Sequence, residues 1–182
     1  MRKLSQLAPI PGHSKKMAYV HQTGWEPPSG KIKSVPVANG VRVGALGVRF
    51  SGPDELDLQG DYFSADCEFG ENLGNGAPTL LNHGMPLGNL EIFADFADVV
   101  LPPATVTRTS KGLFVETTLD MSDPLQKALV DLVSLGAMRW SSGSAGHTIK
   151  RAGDGRILRW LPVEFSYTPS PAEFRLPAIR KL

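Results

Sequence analysis

The chain has 182 residues, of which 41% are hydrophobic and 20% charged, with a formal net charge of +1. That length predicts one domain with a core of its own, the composition excludes wholesale disorder, and the near-zero charge gives no electrostatic basis for binding nucleic acid or an anionic membrane. Cys67 is the single cysteine, which excludes an intrachain disulfide and a Cys-rich zinc site and fits a reducing compartment.

Residues 1–36 read as a flexible N-terminal arm. Pro9, Pro11, Pro27 and Pro28 alternate with Gly12, Gly24 and Gly30, and no period of 2 or 3.6 holds. Trp25 is the residue expected to pin this arm, and His13 and His21 are expected to be solvated. Met1-Arg2-Lys3 opens as a signal peptide would, but Pro9, Pro11 and His13 interrupt before any useful apolar run, and no segment approaches a membrane span.

The folded domain is expected over residues 37–182, ending in a Pro-rich tail. Val41, Val43 and Ala45 alternate with Arg42 and Gly44, and Leu46, Val48 and Phe50 continue in a second phase, the pattern of a strand bulged at Gly44 or Gly47. Ser51-Gly52-Pro53-Asp54 closes it. Asp57, Asp61 and their neighbours lack the spacing and terminal Glu of a calcium loop and read as an Asp-capped structural loop. Thr79-Leu80-Leu81 runs out at Asn82-His83-Gly84, which half-exposes His83 at a strand end. Three further strands are expected between Leu87 and Leu119: one around Leu90–Phe96, then a break at Pro102-Pro103, then Thr105–Thr107 and Leu113–Leu119.

One helix is clearly written. Asp123 is its N-cap, Pro124 its first residue, Gln126 can close a capping box, and Gly136 stops it. Leu125, Ala128, Leu129, Leu132, Val133 and Leu135 fall on one face as core. The helix leads into Met-Arg-Trp-Ser-Ser-Gly-Ser-Ala-Gly-His at 138–147. Glycine and serine contribute little packing, so a buried strand has small use for this run, whereas a site that brings a hydroxyl and backbone N–H groups against a substrate does. Taken locally, a glycine–serine hairpin explains it as well. In extended chain Trp140, Ser142 and Ser144 share one side, and Ser141 and Gly143 the other. Beyond a hairpin turn at Gly153-Asp154-Gly155, a strand over Ile157–Tyr167 puts Val163, Phe165 and Tyr167 on one face and Glu164 and Ser166 on the other.

These features, in this order, resemble the HK97-type prohead (head maturation) serine proteases of tailed bacteriophages. The matching residues are Asp57…Gly60-Asp61…Phe63, Leu81-Asn82-His83-Gly84, Gly112-Leu113-Phe114-Val115, Gly136-Ala137-Met138, Trp140-Ser141-Ser142-Gly143, and Val163-Glu164-Phe165-Ser166 before Pro171-Ala172-Glu173. They span roughly Val41 to Pro177. The chain departs from the family pattern at Ser144, where an aromatic is usual, and at Phe174, where proline is expected.

The resemblance implies an assemblin-like fold, a mostly antiparallel β-barrel of about six or seven strands with a few helices. It implies a serine endopeptidase acting without metal or cofactor. Its substrate would be the major capsid protein precursor or scaffold protein, and itself, inside the assembling prohead in the host cytoplasm, and a homo-oligomer would fit. Carried over by motif, the nucleophile is Ser141, the base His83 and the third member Glu164. Backbone N–H groups at Ser142, Gly143 and Ser144 are the candidates for an oxyanion hole. Other assignments stay open: Ser142 or Ser144 as nucleophile, His147 as base, a Cys67–His83 pair, and Asp61, Asp66 or Glu68 as third member. On a continuous strand His147 would lie roughly 20 Å from Ser141, which weighs against it. Two non-proteolytic readings stand beside this one. A decayed homologue acting as an internal capsid-assembly protein should have lost a triad position, and all three are present. A small-molecule-binding barrel leaves the serine run unexplained.

Overall fold

The computed structural model describes residues 39–71, 73–85 and 101–182. The arm of residues 1–36, and the strand expected around Leu90–Phe96, lie outside the described residues. Ten strands occur among those described: β1 (Gly40–Arg49), β2 (Tyr62–Glu68), β3 (Ala77–Leu81), β4 (Leu101–Thr109), β5 (Gly112–Asp120), β6 (Arg139–Ser144), β7 (Lys150–Arg151), β8 (Arg156–Arg159), β9 (Pro162–Thr168) and β10 (Arg180–Lys181). One α-helix, α1 (Pro124–Ser134), lies between β5 and β6.

The protein is mainly β. A seven-stranded sheet runs β10-β1-β5-β4-β3-β9-β6, and a three-stranded sheet runs β2-β8-β7. The main sheet curls so that β1 comes close to β6, forming a half-barrel. The expectation of a mostly antiparallel arrangement of about six or seven strands agrees with the seven-stranded sheet, in which β3 and β9 pair in parallel, as β2 and β8 do in the smaller sheet. The sheets are therefore mixed.

Alternation of side chains builds the core. Val43, Ala45 and Val48 of β1, and Leu113, Val115 and Leu119 of β5, are buried on the inner face. The register of β1 on β5 slips between Leu46 and Val48, so the bulge falls at Gly47. A Cβ there would stand 2.5 Å from Val115 Cγ2 and 3.1 Å from the Phe165 ring, a space only glycine fits. Trp140 is fully buried, with its ring 4.3 Å from that of Tyr167 and Nε1 donating to Val115 O at 3.1 Å.

Three local expectations need correction. Pro102-Pro103 does not break the chain but lies inside β4, where the pairing with β3 is irregular. Proline offers the ladder no donor, and here the freed carbonyls are used instead by hydroxyls: Thr79 Oγ1 donates to Pro102 O at 2.8 Å, and Thr117 Oγ1 approaches both proline carbonyls. At the helix, Asp123 Oδ1 does accept from the Leu125 and Gln126 N–H groups, but Gln126 Oε1 reaches past it to the Asp120 N–H at 2.8 Å. No capping box closes. The buried stripe is Leu125, Leu129, Val130 and Val133, while Leu135 at the helix end is 80% exposed.

The single strand expected over Ile157–Tyr167 is two. The Gly153–Gly155 turn joins β7 to β8 in the smaller sheet, and the chain then turns at Trp160-Leu161 into β9. β9 still runs antiparallel beside β6, by a route other than the hairpin. The C-terminal segment is packed, not loose. Leu176 and Ile179 are buried, Ile179 N–H donates to Met138 O at 2.8 Å, and β10 adds to the edge of β1.

Candidate active site

The site is assembled on β9, which lies between β3 and β6. Phe165 and Tyr167 point into the core from one face. On the other face Glu164, Ser166 and Thr168 follow at every second residue, and all three are buried. A strand buried on both faces, with polar groups filling one of them, requires partners for those groups. The turn after β3 supplies them.

That turn is tightly wound. Asn82, His83 and Gly84 have φ of 46°, 58° and 68°, three successive residues in the left-handed region. For histidine this backbone is unfavourable by about 1–2 kcal/mol and persists only where surrounding bonds enforce it. β9 enforces it: Thr168 Oγ1 donates to Asn82 Oδ1 at 3.0 Å, and the His83 N–H donates to Ser166 Oγ at 3.0 Å. The ring of His83 returns to the same strand, with Nδ1 2.7 Å from Glu164 Oε1. The other carboxylate oxygen, Oε2, accepts from Ser166 Oγ at 2.6 Å. An ionised carboxylate only accepts, so Nδ1 carries a proton and, in the neutral ring, Nε2 is the free base. The ring is about a third exposed and the carboxylate about a tenth, which leaves the imidazole reachable and its partner shielded.

Ser141 stands on the neighbouring strand. In the antiparallel ladder it lies opposite Ser166, and Gly143 opposite Glu164, so both share the face that carries His83. Trp140 and Ser142 lie opposite Tyr167 and Phe165 on the other face. Gly143 is the floor beneath the carboxylate: a Cβ there would lie 2.0 Å from Glu164 Oε1. Gly143→Ala should therefore push the carboxylate off His83. If Ser141, His83 and Glu164 act together as the resemblance implies, misplacement of about 1 Å suffices for roughly a 10²-fold loss, so activity should fall on the order of 10²-fold while the fold persists, checked by cleavage rate beside thermal melting. Ser144 is already committed, donating to Leu161 O at 2.7 Å, with Thr148 Oγ1 at 3.1 Å.

Ser141 and His83 line one cleft of about 410 Å³. Its walls are the end of β1 (Gly47–Arg49), β6 (Ser141, Ser142), the 57–61 loop, and the segment from Ser170 to Glu173. No hydrogen bond joins Ser141 to His83 among the described residues. Nucleophile–base contacts often tighten only with substrate in place. β6 is an edge strand, so alternate N–H groups along it have no partner in β9. Met138 O faces that edge, where it meets Ile179 N–H, and the two-residue period turns the Ser142 N–H the same way.

The rival groups lie elsewhere or are engaged. Asp61 reaches the cleft but is held by Arg151 through Nε and Nη2, at 3.0 and 2.7 Å. Asp66 binds Ser64 Oγ, and Glu68 meets Arg159 Nε at 3.3 Å on the smaller sheet. His147 sits in the turn Gly146–Thr148 beyond the bulge of β6, and does not line the cleft. Cys67 is buried, and desolvation pushes its thiol up to about 12, so it carries no reactive thiolate. The 57–61 loop is braced by Asp57 Oδ1, which accepts from the Gln59 and Asp61 N–H groups. No group of three or more His, Cys, Asp or Glu with metal-binding geometry occurs among the described residues.

Sequence reasoning singled out Glu164 and placed Ser166 on its face, but gave neither Ser166 nor Thr168 a part in the site. Their signal was present in the alternation Glu164-x-Ser166-x-Thr168, three polar residues on one face of an otherwise apolar strand. Comparison of the chain with protein-family models, curated proteins and solved structures finds no match.

Proposed function

We propose that the protein is a serine endopeptidase of the prohead-maturation type, with Ser141 as nucleophile, His83 as general base and Glu164 as the carboxylate that orients and stabilises the imidazole. The observation that carries this reading is the Glu164–His83 pair at 2.7 Å on the face it shares with Ser141. A carboxylate on Nδ1 is the arrangement that leaves Nε2 basic and ready to take a hydroxyl proton. Ser141 Oγ attacks the scissile carbonyl and His83 receives its proton. His83 then returns the proton to the leaving amine, and water repeats the cycle on the acyl-enzyme. The Ser142 N–H, at the free edge beside the nucleophile, is the best placed of the three oxyanion candidates, since that of Gly143 turns towards β9. The curled, mainly β fold is compatible with an assemblin-like barrel. A capsid or scaffold precursor as substrate, self-processing, a homo-oligomer and action within the prohead rest on the sequence resemblance alone.

The direct test is incubation of the purified chain with its cognate capsid precursor, followed by intact-mass analysis. Precursor left whole under conditions in which the capsid matures would overturn the reading. Glu164→Gln tests the third member. An amide has one oxygen, so it cannot accept from both His83 and Ser166. If its NH2 faces Nδ1, the ring must take the wrong tautomer. The rate should fall on the order of 10²–10⁴-fold with little change in thermal stability. Full activity in that variant would reduce Glu164 to a structural carboxylate.

A further inference from the structure

We infer that Ser166 is a positioning residue of this site, fixing the Glu164 carboxylate and the His83 main chain together; the inference rests on the protease reading. Ser166 is fully buried, and its hydroxyl has one proton and two lone pairs. The proton goes to Glu164 Oε2, whose 2.6 Å separation is that of a charge-assisted O–H···O bond. Ser166 Oγ must then act as acceptor towards the His83 N–H, 3.0 Å away. The bonds form a closed loop that begins and ends on one residue. His83 N–H donates to Ser166, Ser166 donates to Glu164 Oε2, and Glu164 Oε1 receives Nδ1–H of His83 at 2.7 Å. Each member is constrained by the other two. The carboxylate cannot rotate about its terminal bond without losing Ser166 or the imidazole. The backbone of His83 cannot leave its left-handed conformation (φ 58°, ψ 29°) without losing Ser166.

A hydroxyl two residues from the carboxylate is the simplest way to build such a loop, because residues i and i+2 of a strand face the same side. Alanine at 166 would leave Oε2 and the His83 N–H without their partner in a buried place, and would free the carboxylate to turn. Its primary effect should fall on the chemical step, since Ser166 does not line the cleft where a substrate binds.

A fluorophosphonate probe reads this step without knowledge of the natural substrate. Ser141 Oγ attacks phosphorus, fluoride leaves, and the hydroxyl proton passes to His83; intact mass reports the adduct, and Ser141→Ala identifies its site. Ser166→Ala should lower the labelling rate on the order of 10–10²-fold without changing the probe's saturation behaviour, and Ser166→Thr, which restores a hydroxyl, should recover most of it. Proton NMR gives a readout independent of activity. A low-field Nδ1–H resonance of His83 is expected in the parent protein, moved upfield or broadened in Ser166→Ala and present again in Ser166→Thr. Labelling of Ser166→Ala within twofold of the parent, or an unchanged His83 resonance, would overturn the inference. Failure of the parent chain to label at Ser141 would instead sink the protease reading, and the resonance alone would then decide whether Ser166 orients the pair.

Discussion

Ser141→Ala is expected to abolish cleavage of a capsid precursor, a loss of at least ~10³-fold given how strongly members of such a triad depend on one another. The fold should be unaffected. Ser141 is half-buried on an edge strand, its hydroxyl makes no hydrogen bond among the described residues, and removing one oxygen leaves no cavity of consequence. Circular dichroism and thermal melting alongside the cleavage assay separate the two effects. Ser142→Ala is the paired control. Ser142 lies opposite Phe165 on the core side of the ladder, so it should retain activity within several-fold of the parent even though it edges the same cleft. A dead Ser142 variant with an active Ser141 variant would mean that the register of β6 on β9 is wrong by one residue, and every assignment of faces would go with it.

Removal of His83 should cost at least ~10³-fold as well, but the choice of replacement matters. Alanine at φ 58° keeps the strain of roughly 1–2 kcal/mol that His83 already bears and lacks a polar side chain of the kind that favours this conformation. Asparagine tolerates that conformation far better and has no comparable base, so His83→Asn separates chemistry from folding. Both variants should be inactive, with His83→Asn melting closer to the parent. His147→Ala should cost far less, because His147 sits past the β6 bulge and outside the cleft. Equal losses at His83 and His147 would show that the assignment of the base is mistaken.

Much of the framework was legible because local rules and the final fold agree. The cap at Asp123 and the glycine stop at Gly136 follow from the backbone groups that a helix leaves unpaired at its ends, and the alternation along β1 and β5 and the division of Ser141 from Ser142 follow from the two-residue period of a strand. What escaped the sequence depends on partners far away in the chain. Pro102 and Pro103 look like a break until Thr79 and Thr117 are seen to bond their carbonyls. Gln126 looks like a capping-box residue until Asp120 offers it a different N–H. Helical spacing puts Leu135 on the buried face and leaves Val130 off it, because a helical wheel does not say which neighbours pack against the helix. The Asn82–His83 conformation is not visible in Leu-Asn-His-Gly; it depends on hydroxyls at 166 and 168, more than eighty residues downstream.

The order in which this chain is made has a bearing on when it can act. β9 lies between β3 and β6 in space yet follows both in sequence, and it brings Glu164, Ser166 and Thr168 with it. Until residues 162–168 have left the ribosome, His83 has no carboxylate and no scaffold for its turn, and β6 has no strand to lie against. A nascent or truncated chain ending before β9 thus holds both serine and histidine but has no working site. On the protease reading proposed above, latency during synthesis is then a matter of topology.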